Sequence, residues 1–165
     1  MKVSLLAVLF LSCVAVAAFG EDKNGLRLLV TKKTLNRADG AGGSYTREVN
    51  RSMALKAFFK NISNKDLSGA KVECAILIRR WGLSETGAVQ RYAKAIELVP
   101  LKTAQESEML VGEYQIGGHM HGSSDMHVDQ VVAWKVTVDH DGKKTEYLSG
   151  SNFEALNKHA TAPSN

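Results

Sequence analysis

Residues suited to ligand chemistry gather in one stretch, Gly117-Gly118-His119-Met120-His121-Gly122-Ser123-Ser124-Asp125-Met126-His127-Val128-Asp129, which holds three of the five histidines of the 165-residue chain. Side chains of an extended chain repeat every two residues, so His119 and His121 project to one side, and Asp125, His127 and Asp129 likewise share a side. Imidazoles suit copper and zinc, and thioethers suit Cu(I). The spacing therefore names His119, His121 and His127 as candidate ligands for copper or zinc. The competing reading is a plain polar loop between two strands that needs no cofactor, because the surrounding glycines and serines imply mobility. Catalytic signatures are missing from the sequence. It contains no nucleophile elbow and no His-Glu-x-x-His, and Gly40, Gly42 and Gly43 precede Tyr45 instead of opening a helix after a strand. The expectation is a protein that is not an enzyme.

A second group of residues could mark a partner surface. Trp81 follows Arg79 and Arg80, and Arg91 lies just beyond the next loop. Tryptophan and arginine are favoured anchors at interfaces. Against this stands a structural role, in which Trp81 caps the core. Asn50-Arg51-Ser52 and Asn61-Ile62-Ser63 are glycosylation sequons if the chain is made in a eukaryotic secretory route. Cys74 alternates with Val72, Ile76 and Ile78, as a small buried hydrophobe would.

The elements that would carry these residues are read from a hydrophobic period of two. It predicts strands over 26–35, 53–60, 72–79, 107–116, 132–138 and 143–149; over 91–98, which Pro100 ends, alanine, lysine and glutamate favour a helix while Tyr92, Ile96 and Val99 suit a strand, and the segment is read as a strand. Turn formers separate them at 38–44 and 61–69, and Asp141-Gly142 predicts a tight hairpin. Ser151-Asn152-Phe153-Glu154 fits a capping box and predicts a helix over 151–160, followed by a tail over 161–165. Strands without intervening helices give an all-β antiparallel sandwich with a short C-terminal helix.

The N-terminus bounds the compartment. Lys2, an apolar run from Val3 to Ala18 and the small residues Ala18 and Gly20 before Glu21-Asp22-Lys23 make a cleaved signal peptide of residues 1–20. That leaves one domain over 21–165, with no transmembrane segment and with Cys74 as its only cysteine, so no internal disulfide is expected. The net charge of +4 falls by one with Lys2, and the basic residues occur as scattered pairs without interleaved aromatics. That pattern argues against nucleic acid as a partner.

Ala54-Leu55-Lys56-Ala57-Phe58-Phe59-Lys60-Asn61-Ile62-Ser63, then Leu67, then Val72-Glu73-Cys74-Ala75-Ile76 resembles the strand, Lys-Asn-x-Ser turn, strand pattern of immunoglobulin-like and fibronectin-like modules of secreted bacterial proteins. The resemblance spans residues 50–116 and implies an immunoglobulin-like sandwich used for adhesion, spacing or binding. The expected protein is thus secreted or periplasmic and non-catalytic. Its expected partner is a protein or a component of the cell envelope.

Overall fold

A computed structural model describes residues 19–41, 46–81, 87–121 and 125–163. Of the expected signal segment, residues 1–20, all but Phe19 and Gly20 therefore lie outside the described residues. Among the described residues, ten strands form two antiparallel sheets. The first contains β1 (Phe19–Lys23), β2 (Leu26–Arg37), β4 (Thr46–Asn61), β7 (Glu106–His121) and β8 (Asp125–Val128) in that order, with β3 (Gly40–Ala41) pairing the outer end of β4. The second runs β10 (Lys143–Leu148), β9 (Gln130–His140), β5 (Lys71–Arg79), β6 (Val89–Glu97). The all-β sandwich expected from the sequence is the architecture observed.

Alternation does the sorting. Leu28, Leu55, Phe59 and Val111 from the first sheet meet Val72, Ile76, Ile78 and Val136 from the second in one continuous buried cluster. Cys74 lies within it, and burial pushes its thiol up to about 12, so it behaves as a hydrophobe. Across the sheets Tyr147 donates its hydroxyl to the Leu26 carbonyl at 3.0 Å. A smaller cluster lies on the outer face of the second sheet, where Phe153 of α1 (Phe153–Asn157) covers Ala75, Leu77 and Ala133. This second layer explains why the middle of β5 is buried on both faces.

Two tight turns obey the same rule. Asp141 and Gly142 have φ of 52° and 75° between the paired residues His140 and Lys143, as a two-residue primed hairpin turn requires. Asn24 and Gly25, with φ of 52° and 78°, make the equivalent turn between β1 and β2. The Asn61 turn is built from its side chain. Asn61 is fully buried. Its amide donates to the carbonyls of Lys65 (2.8 Å) and Leu101 (3.0 Å), and its oxygen accepts from the Ser63 N–H at 3.0 Å. The Asn61 sequon is therefore closed to modification in the folded protein, whereas Asn50 is exposed.

Three expectations need correction. The segment 117–129, expected as a mobile loop, continues β7 to His121 and returns as β8, with Asp129 as the link to β9 and residues 122–124 outside the described residues. Its glycines serve close approach: a Cβ on Gly118, whose φ is 144°, would lie 2.7 Å from the Val128 Cα, so only glycine lets β8 close on β7 there. The strand expected from Met53 starts seven residues earlier, at Thr46, because backbone pairing with β7 carries it through a polar stretch. The helix is shorter than expected and lacks the capping box. Asn152 is the N-cap without a side-chain cap bond, and Glu154 instead pairs with Lys135 at 2.8 Å.

Candidate functional site

The polar groups converge where the chain passes between the sheets. Asp129 connects β8 to β9 and is only 7 % exposed. Its carboxylate accepts from Arg80 and from the backbone N–H groups of Trp81 (3.0 Å) and Gly117 (2.9 Å). Arg80, just past β5, also donates to Tyr92, to the Gln90 side chain at 2.9 Å and to the Gln115 carbonyl at 2.9 Å. Burial opposes the Arg80 charge, but the hydrogen bonds to Asp129 and Tyr92 outweigh it and hold the guanidinium protonated. Each member is satisfied by the others, so the network works as a clasp between sheets.

The four residues expected to form a partner surface are divided by the strand period. Arg80 turns into the clasp. Trp81 is half-buried, its ring edge-on to His127 with centroids 5.8 Å apart, and its indole N–H is buried without a hydrogen-bond partner among the described residues. Arg79 and Arg91 pair with Val89 and Leu77 of the opposing strands, on positions that share the face covered by α1. They form two groups, not one patch.

The histidine segment comes together differently. His119 stands directly opposite His127 across β7 and β8, and opposite Glu48 across β7 and β4. His121 pairs with Asp125 two residues further out. Asp129 is withdrawn from this group by Arg80. Among the described residues no three His, Cys, Asp or Glu side chains assemble as a metal-ligand set, and the His121 side chain lies outside those residues.

Beside the clasp opens a polar groove of about 650 Å³, lined by Glu48, Asn50, Ser52, Gln115 and His119 with Arg80 and Asp129 at its base. Ser52 and Gln115 hydrogen-bond to each other at 3.1 Å. Next to the groove, the Asp39 carboxylate, 2 % exposed, is enclosed by Arg37 (2.6 Å), Arg51 (2.8 Å) and Arg47 (3.6 Å). The hydrogen bond from Arg51 holds it well below the usual carboxylate range despite its burial. This pins β3 and its flanking turn against β4. Glu48 and Asp39 carry no sequence motif, and the Asn50 sequon says nothing of a groove. Only the strand register assembles them.

No family model and no curated protein matches the chain. Among solved structures, it is similar to the X-ray structure of a Northeast Structural Genomics Consortium target, with 10 % identity, a TM-score of 0.36, and coverage of 76 % of this chain and 82 % of that one. A crystal structure from Akkermansia muciniphila is similar at 9 % identity with a TM-score of 0.33, covering 88 % and 81 %.

Proposed function

We propose that this chain is an exported, non-catalytic, immunoglobulin-like module of a single domain that recognises a polar component of the cell envelope through the groove beside the Arg80–Asp129 clasp. The observation that carries this reading is the division of labour among polar residues. Arg80, Asp129, Tyr92 and Gln90 are occupied with one another, whereas the Glu48, Asn50 and His119 side chains line the groove without a hydrogen bond to any described residue. Fixed, partnered groups at the base and unpartnered donors and acceptors at the rim suit orientation of a polar ligand. Support for the immunoglobulin-like assignment comes from connectivity: β2-β4-β7 faces β6-β5-β9-β10, and the chain changes sheet after β4, β6 and β8. No described helix is long and apolar enough to cross a membrane.

Two measurements test the reading. The mature N-terminus of protein recovered outside the cytoplasm is expected at Glu21, and recovery of the intact Met1 form in the cytoplasm would overturn export. Immobilised protein is expected to retain material from envelope fractions, with retention lost in the Glu48→Ala/Asn50→Ala variant at unchanged melting temperature. Equal behaviour of variant and parent would overturn the groove.

A further inference from the structure

The β7–β8 register brings two imidazoles face to face. Directly opposed residues of an antiparallel pair share a sheet face with Cβ atoms about 4.5–5.5 Å apart. His119 and His127 are such a pair. Metal–imidazole bonds of about 2.0–2.1 Å can close that span. We propose that this rung binds a divalent transition metal, Cu2+ in preference to Zn2+, through the His119 and His127 imidazoles.

Three features of the hairpin favour the site. β7 is paired on both sides, to β4 and β8, so its backbone is held in place. Gly118, adjacent to His119, permits the close approach of β8 on which the rung depends. The Trp81 ring lies edge-on to His127 at an interplanar angle of 70°, which restricts the imidazole. Both histidines are exposed, so a hydrated ion reaches them without crossing the core. Glu48, opposite His119 on the other neighbouring strand, adds negative charge beside the rung. The remaining coordination positions are filled by water. Copper leads zinc because nitrogen sites follow the order in which Cu2+ binds most tightly.

This inference rests on the hairpin register and stands or falls apart from the groove's ligand, because Asn50 belongs only to the groove. The test is titration of the purified, untagged full chain with CuSO4 and separately with ZnCl2, followed by calorimetry and, for copper, electron paramagnetic resonance. The parent protein is expected to bind a stoichiometric Cu2+ with splitting from two nitrogen ligands. His119→Gln and His127→Gln are each expected to weaken binding by about tenfold or more, while His159→Gln and Asn50→Ala leave it unchanged. The idea is overturned by absence of stoichiometric binding in the parent, or by affinity that survives both rung substitutions. Chemical shifts of core amides in each variant separate loss of ligands from loss of fold.

Discussion

At the scale of single residues, the most consequential side chain is Asp129. It neutralises Arg80 and accepts two backbone N–H groups at the point where the chain changes sheet. Asp129→Ala leaves a partly buried guanidinium without its counter-charge, and urea unfolding is expected to show a loss of about 3 kcal/mol. A loss under about 1 kcal/mol, the value of an exposed pair, would mean that the clasp does not join the sheets. Cys74 makes a pH-dependent counterpart. Its folded thiol keeps its proton to about 12 against an ordinary value of 9.0. The unfolded chain therefore binds fewer protons across that interval. The contribution to stability is complete below about pH 9 and declines as pH rises toward 12, by at most about 1.4 kcal/mol per pH unit. Tyr114, raised by burial to about 12 from 10.0, adds to the upper part of this decline. In Cys74→Ala the decline is expected to begin about one unit later, where unfolded tyrosine ionises. Denaturation midpoints measured at successive alkaline pH values would show it.

At the scale of elements, the hairpin of β7 and β8 depends on one glycine. Gly118→Ala places a methyl group against the backbone of β8 at a positive φ. Hydrogen exchange is expected to show β8 amides losing protection while those of β5 and β9 keep theirs. Uniform protection in the variant would refute this role of Gly118. The hairpin also marks the limit of what the sequence discloses. Core strands were legible because one face of each is oily, as at Met53 to Phe59 and Val72 to Ile78. The outer ends of β4 and β7 were not, because Thr46 to Asn50 and Gly117 to His121 are held by backbone pairing and carry no hydrophobic alternation. The turn Asn24-Gly25 was available as a signal for β1, of the same kind that identified Asp141-Gly142. The histidines were legible as a cluster, but their pairing was not, since register across strands is a long-range property. The separation of Arg79 from Arg80 does follow from period two alone.

At the scale of the molecule, two apolar layers share the second sheet. The larger is closed by the first sheet and the smaller by Phe153. Phe153→Ala is expected to cost about 3–5 kcal/mol by thermal or chemical unfolding, within the range for a large buried aromatic. A cost near zero would mean that the outer layer is dispensable. The position of that helix has a further effect on how the polypeptide is made. Because the cover follows every described strand in the chain, a nascent polypeptide has Leu77 and Ala133 wetted until residues 153–157 have been made. Shortened versions that stop at the final hairpin keep the sandwich interior yet present a sticky outer wall. Their expected failure is self-association of folded molecules rather than unfolding, and fusions at this end need slack beyond Thr161 to let the cover seat.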